Sequence, residues 1–224
     1  MGSAEPERRA RGRKPLIYHG DELRCTRALE DQARADGYAV VAGMDEVGRG
    51  ALCGPVVACV VVLGDSFDWT GLDDSKRLTA KQREELSARV REKATAFSVG
   101  VADPREIDRL NILRATHLAM VRAVQGLGVG PDVILVDALT VPGVSTPQRP
   151  IVKGDALSVS IAAASIVAKV MRDELMRECD RRYPGYGLAH NMGYASDDHR
   201  QALRRLGPSE IHRRSFHGTQ RWLF

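Results

Sequence analysis

Two adjacent carboxylates, Asp45 and Glu46, close a short apolar run, and three residues after Glu46 comes a cation between two glycines, Gly48-Arg49-Gly50. Apolar strand residues usually give way to turn chemistry; here they give way to charge. Asp137 follows Val133-Ile-Leu-Val136 in the same manner, and Asp155 follows Ile151-Val152 through Lys153-Gly154. An acid at such a position adds nothing to a core. If the strands are neighbours, the carboxylates converge, repel and raise one another's pKa unless cations lie between them. Hard divalent ions such as Mg²⁺ or Mn²⁺ take oxygen ligands and keep positions open for water and phosphate. Two of them roughly 4 Å apart can activate a water and stabilise the leaving oxygen of a phosphodiester.

Taken singly, a strand-end aspartate is more often structural, since structural networks also hold perturbed acids. Asp155 could instead cap the helix that follows it. Consecutive strand residues also point to opposite faces, so Asp45 and Glu46 cannot both project inward from a regular strand. Either the chain twists before Gly48, or Glu46 approaches the shared site from outside the pleat.

The elements that must position these acids read as follows. Residues 39–47, 55–63 and 96–101 are strands, as are 133–136 and the short 151–152. The run 55–63 is apolar throughout, which predicts a strand covered on both faces. Residues 21–35 form a weakly amphipathic helix. Thr79-x-x-Gln82 is a capping box opening a helix with Leu86 and Val90 on one face. Asp103-Pro104-Arg105-Glu106 opens a second helix, or pair of helices, with an N-cap, a proline at N1 and a glutamate at N3. Residues 158–179 make the clearest helix, its stripe running Ile161, Ala164, Ser165, Ala168, Met171, Leu175 and Cys179. Arg172 and Asp173 lie away from that stripe, with Arg177 placed to pair with Asp173 on the helix surface. Ser196-Asp197-Asp198 caps a last helix to about residue 206. Three early strands followed by strand–helix alternation predict a mixed sheet with helices on both faces.

The 224 residues suffice for one substantial core, and 43% hydrophobic with 28% charged residues is ordinary for a globular chain. The longest apolar run is far short of a bilayer span, so no membrane association is expected. No signal-peptide pattern opens the chain, and Pro6 occupies the Ser/Thr position that a myristoylation motif needs. The net charge of +4 conceals a gradient: residues 1–14 carry +3, residues 199–224 carry +5, and the rest is acidic at −4. A carboxylate site flanked by cations for a polyanion fits that distribution, and so does an ordinary enzyme with basic ends. Cys25, Cys53, Cys59 and Cys179 have neither CxxC spacing nor a histidine cluster in sequence, which argues for reduced thiols and a cytoplasmic setting.

With those residues in view, the sequence resembles the ribonuclease HII family, the type 2 ribonucleases H. The matching segments are Gly43-Met-Asp-Glu-Val-Gly-Arg-Gly50 with Gly54-Pro-Val-Val57, Asp74-Ser-Lys-Arg-Leu78, Val136-Asp137 and Lys153-Gly-Asp155. Ser160 to Lys169 with Arg172-Asp173, and Gly193-Tyr194, complete the set, in the family's order from about residue 39 to about 217. The arginine-rich start and Cys53 depart from the shared pattern.

The resemblance implies an α/β fold: a ribonuclease H-like mixed five-stranded sheet flanked by helices, with a C-terminal helical segment from about residue 181. It implies one catalytic domain over 16–224; residues 1–15, basic and without apolar periodicity, are expected to be a disordered tail. It also implies a monomeric, metal-dependent endonuclease using two Mg²⁺ or Mn²⁺ ions. The substrates would be RNA–DNA hybrids and duplex DNA holding a lone ribonucleotide, cut on its 5′ side to leave a 3′-hydroxyl and a 5′-phosphate. By the same resemblance Asp45, Glu46, Asp137 and Asp155 hold metal, and Gly48, Arg49 and Gly50 contact the ribose 2′-OH. Tyr194 stacks on the sugar of the following deoxynucleotide, and Lys76, Lys153, Arg213 and Arg214 meet phosphates. A nuclease of other specificity would keep the acids without needing the glycine-flanked arginine or Tyr194. A non-catalytic nucleic-acid-binding module would explain the basic ends but not the acids.

Overall fold

The computed structural model describes residues 24–220; the expected tail over 1–15 lies outside them. In chain order the elements are α1 (Ala28–Ala35), β1 (Val41–Val47), β2 (Val56–Val62), α2 (Ala80–Lys93), β3 (Ala96–Ala102), α3 (Pro104–Leu110) and α4 (Ile112–Gln125). They continue with β4 (Val133–Asp137), β5 (Gln148–Ile151), a 3₁₀ turn (Gly154–Ala156), α5 (Val159–Arg182), α6 (Leu188–Asn191), α7 (Asp197–Leu206) and α8 (His217–Gln220).

Side-chain alternation along the strands dictates the layering. Ala42 and Met44 of β1, with Val56, Ala58 and Val60 of β2, pack on Ala115, Ala119, Met120 and Ala123 of α4. The alternate residues Val57, Cys59 and Val61 face Ala163, Ile166 and Val167 of α5, together with Leu86 and Val90 of α2. The sheet runs β3-β2-β1-β4-β5, antiparallel from β3 to β1 and parallel from β1 to β5. It is the expected mixed five-stranded sheet with both faces covered by helices. The helix after Asp103 is a pair, divided at Asn111, whose left-handed backbone (φ 73°) ends α3 and whose side chain caps α4. A separate small core joins Leu52, Cys53 and Met176 to Tyr186, Leu188, Ala202 and Leu203 in the C-terminal segment.

Three expectations need correcting. Among the described residues α1 begins at Ala28, because the chain before it is engaged elsewhere: Thr26 bridges to Ser158 at the start of α5. The last strand is Gln148–Ile151 rather than 151–152; Pro150 is tolerated because β5 is an edge strand, and Asp155 falls in the 3₁₀ turn beyond it. The third concerns α5, which is buried well beyond a single stripe, since α2 and α6 pack on it as well as the sheet. Arg172 and Asp173 are buried and Leu175 is exposed. Asp173 pairs with Lys169 at 2.7 Å, while Arg177 reaches Glu84 of α2 at 3.3 Å.

The close approach of α5 to β1 rests on Gly43. A Cβ there would stand 2.1 Å from the carbonyl carbon of Ser160, and neither backbone can yield without displacing its whole element. Gly43→Ala is therefore expected to cost about 3 kcal/mol or more, read as the shift in a urea unfolding midpoint. An unchanged midpoint would show that helix and strand separate freely.

Candidate active site

β1 stays regular through Val47, pairing Asp45 with Cys59 and Glu46 with Ala58, so the two acids point to opposite faces of the sheet. The expected twist before Gly48 is not what resolves their geometry. Asp45 lies on the α5 side; its neighbour on that face is Asp137, since the parallel register sets Met44 beside Val136. Both acids thus end adjacent strands on one face. Asp137 Oδ1 accepts the Gly154 amide at 2.8 Å, which ties β4 to the turn carrying Asp155. Glu46 comes from the other face at the same strand end, and its charge reaches Asp137 while that of Asp155 reaches Glu46.

Burial raises the pKa of Asp45 well above the ordinary carboxylate value, and the charges of Glu46 and Asp137 add to it. Burial also raises Glu46 against the opposing pull of Arg49. Asp137 is raised from 3.8 to about 6, chiefly by burial, with the Gly154 amide opposing and the charges of Asp155 and Glu46 adding. Two cations answer part of this charge. Arg49 meets Glu46 Oε1 at 2.9 Å, and Lys76 meets Asp155 Oδ2 at 2.8 Å while its side chain stays 78% exposed. Burial works against the Lys76 charge, but the bonds to Asp155 and Asp74 outweigh it and raise the pKa.

Glu46 Oε2 remains buried with no hydrogen-bond partner. Such an atom is costly unless something supplied from outside meets it. All the donors here are carboxylate oxygens, the set a hard divalent cation prefers over a soft one. The residues present fit such an ion.

The loop after β1 is held from beneath by arginines. Arg213, expected to meet phosphate, is fully buried: its guanidinium donates to the carbonyls of Gly48 (2.7 Å), Arg49 (2.8 Å) and Gly54 (2.9 and 3.0 Å). It is part of the loop's foundation and is closed to a phosphate. No peptide bond here is cis. A trans peptide sets each C=O antiparallel to the next N–H, so carbonyls drawn inward at Gly48 and Arg49 turn the amides of Arg49 and Gly50 outward. Arg172, also buried, donates to the carbonyls of Pro55 (2.9 Å), Met192 (2.9 Å) and Cys53 (3.3 Å), and its guanidinium lies 5.3 Å from the Tyr194 ring centroid. Tyr194 is itself 37% exposed.

Lys153 is exposed next to Asp155, in left-handed backbone (φ 59°). Arg214 is exposed, with its backbone amide accepted by Asp108 at 2.9 Å, and lines an open groove with Arg105 and Arg109. The structure therefore gathers Asp45, Glu46, Asp137, Asp155, Lys76 and Arg49 at one sheet end. It sets Gly48, Gly50 and Tyr194 on a shared scaffold and removes Arg213 from the surface. Sequence reading missed Arg172, yet its spacing of four from both Ala168 and Met176, each buried, placed it on the inner face. It also missed His199 and His212, which have no local motif.

The family model for ribonuclease HII matches residues 42–219. A ribonuclease HII of Desulfitobacterium hafniense (strain Y51) is 55% identical over 207 residues, covering 92% of this chain and 80% of that protein. That of Moorella thermoacetica is 50% identical over 189 residues, covering 84% and 92%. Among solved structures, ribonuclease H2 from Pyrococcus horikoshii OT3 superposes with a TM-score of 0.68 at 29% identity, over 81% of this chain and 96% of the other. Bst-RNase HIII in complex with Mn²⁺ shares the fold, with a TM-score of 0.63 at 21% identity over 82% and 69%.

The raised carboxyls carry a stability consequence. A group whose folded pKa is raised holds its proton better in the folded chain, so stability falls as pH climbs from 3.8 toward about 6 at Asp137 and stays lowered above that. Asp137→Asn keeps the oxygen that accepts the Gly154 amide and removes one of the crowded charges. In EDTA at neutral pH its melting temperature should exceed that of the unsubstituted chain by a few degrees, with the difference vanishing near pH 4. A lower melting temperature at neutral pH would show that Asp137 is not repelled in the folded state.

Proposed function

Because the chain belongs to the ribonuclease HII family, we propose that it hydrolyses the strand bearing a lone ribonucleotide in duplex DNA, on the 5′ side of that ribonucleotide. The family's coarser activity, endonucleolytic cleavage of RNA in RNA–DNA hybrids, comes with membership. The finer reading rests on one observation: Glu46 Oε2, buried and unpartnered, stands among carboxylates already raised by burial and mutual charge, beside a loop whose amides face outward.

Asp45, Glu46, Asp137 and Asp155 would hold two divalent ions, Mg²⁺ or Mn²⁺. When bound, such ions supply Lewis acidity to the phosphate and lower the pKa of the attacking water. The chain's own contribution is placement. Lys76, fixed on Asp155 yet largely exposed, puts an ammonium where a phosphate oxygen carries charge. Lys153 and Arg214 present further exposed cations to the backbone of a duplex. The outward amides of Arg49 and Gly50 offer donors to a ribose 2′-OH, the one group that separates RNA from DNA at a sugar. Tyr194, seated against Arg172, offers an aromatic face to the following sugar. Rupture of the P–O3′ bond then leaves a 3′-hydroxyl upstream and a 5′-phosphate on the ribonucleotide.

The deciding assay uses duplex DNA with one ribonucleotide, with and without Mg²⁺ or Mn²⁺. Cleavage 5′ to the ribose only when metal is added is the expected result. Binding without cutting would mark a module, and equal cutting of all-DNA duplex would mark a nuclease of other specificity. Asp137→Asn should fold and lose about 10³-fold or more in turnover, as removal of charge-stabilising groups generally does. Normal turnover in Mg²⁺ would sink the metal-site assignment. Arg49→Ala, which strips Glu46 of its ion-pair partner and loosens the loop's outer side, should lower cleavage at a lone ribonucleotide. Wild-type rates from that variant would remove the loop from substrate recognition.

A further inference from the structure

Cys53, His199 and His212 are buried together, with one potential ligand atom from each within 4.8 Å of the others. The group resembles a small metal site, but its hydrogen bonds specify something else. His212 Nδ1 lies 3.0 Å from the Ser209 amide and 2.8 Å from the Ser209 hydroxyl; a backbone N–H can only donate and a hydroxyl can turn its proton either way, so Nδ1 accepts from both and the proton of His212 sits on Nε2. That Nε2–H faces His199 Nε2 at 3.1 Å, which must accept it. The proton of His199 therefore sits on Nδ1, 2.8 Å from the carbonyl oxygen of Tyr194, to which it donates. Each imidazole is neutral, and every ring nitrogen has one role. A metal bound by both Nε2 atoms would instead need a proton on His212 Nδ1, which the Ser209 hydroxyl can accept but which faces the Ser209 amide donor to donor. Burial pushes both histidines down, His212 to about 4 with the charge of His199 adding, in keeping with neutral rings.

The three segments joined here also meet through the backbone. The Leu52 amide donates to the Gly193 carbonyl (2.8 Å), the Gly54 amide to that of Ile211 (2.9 Å), and the Arg213 amide to that of Leu52 (2.9 Å). The histidine pair closes that triangle from inside. Its last acceptor is the carbonyl of Tyr194, which also takes the Ser196 amide at 2.8 Å. Resting on the reading of Tyr194 as the group that meets the sugar after the ribonucleotide, we propose that His199 and His212 are positioning residues. Their ordered chain of hydrogen bonds sets Tyr194 in place relative to the Gly48-Arg49-Gly50 loop, and with it the preference for an RNA-to-DNA junction. Neither histidine touches substrate.

The test compares His199→Leu with His199→Asn, whose side-chain amide can replace Nδ1–H as donor to Tyr194 but cannot serve His212. Both should melt at lower temperature. His199→Leu should lower the ratio of kcat/KM at a lone ribonucleotide to that on a continuous RNA–DNA hybrid by about tenfold, mainly through KM, as a displaced positioning group does. His199→Asn should keep the ratio within about twofold of the unsubstituted chain, since the donor to Tyr194 is retained. Equal losses in the two variants, tracking the melting temperature, would reduce the pair to a structural role and overturn the proposal. So would an unchanged ratio in His199→Leu while Tyr194→Ala lowers it. If Tyr194→Ala itself leaves the ratio intact, the reading of Tyr194 fails and the proposal with it. Imidazole ¹⁵N spectra give a check on the unsubstituted chain alone: a proton on Nδ1 of His199 and Nε2 of His212 is expected. Stoichiometric zinc in the purified protein, lost in Cys53→Ala, would replace the hydrogen-bond chain with a metal centre.

Discussion

Like charges gathered at one end of a sheet and withdrawn from water are the constraint to which the architecture answers. Carboxylates so placed favour their neutral forms, and the fold must hold them together against that tendency. It does so by putting them on its most tightly bound strands. β1 is paired on both sides and covered by α4 and α5, and β4 lies directly beside it. The helices come close because small residues line them and because Gly43 and Gly100 remove the side chains that would hold them off; a Cβ at Gly100 would sit 1.9 Å from the Ala119 carbonyl oxygen. A rigid pleat then fixes which face each acid occupies. Asp45 and Asp137 share one, and Glu46 approaches from the other, a division that sets only two of the three strand-end carboxylates side by side.

A second requirement begins where β1 ends. The chain from Gly48 to Pro55 leaves the sheet, and its carbonyls lose their ladder partners while remaining close to the interior. Arg213 and Arg172 answer them. A guanidinium presents several donors in a rigid plane, so each arginine satisfies carbonyls from different parts of the loop at once. Burying two guanidiniums without a carboxylate in contact is expensive, and the hydrogen bonds to carbonyl oxygens offset that cost. Arg213 comes from beyond α7 and Arg172 from the middle of α5. The C-terminal segment is thus a structural part of the loop that follows Asp45-Glu46, and no mere appendage to the sheet.

The strands, the capping boxes at Thr79 and Asp103 and the four acids were legible because each is a local signal: period, cap chemistry, or a charge where an apolar residue belongs. What escaped was everything defined by a partner distant in sequence. Arg213 sits in a basic, aromatic-bearing stretch that reads as phosphate-binding, and only the Gly48, Arg49 and Gly54 carbonyls, some 160 residues away, reverse that reading. Arg172 lies off the apolar stripe that the sequence predicts, although its helical phase matches the buried Ala168 and Met176. β5 runs through Pro150, and whether a proline is tolerated in a strand depends on which strand forms the edge. The histidine pair is 13 residues apart in sequence, and its meaning lies in proton placement that only three-dimensional neighbours determine.

The two glycines around Arg49 show how local sequence and distant packing divide one motif. Gly48 has a left-handed backbone (φ +92°), and a Cβ there would stand 2.1 Å from Arg172 Nε. Its glycine is required from within, by the arginine that supports the loop. Gly50 differs on both counts: its backbone is not left-handed, and a Cβ would meet nothing within 4 Å among the described residues. Among the described residues nothing asks for glycine at that position, which leaves the backbone bare on the outer side, where the amides of Arg49 and Gly50 face. A motif that reads as one flexible turn is therefore two different positions, one fixed as glycine by the protein's own arginine and one that the packing of the described residues leaves open.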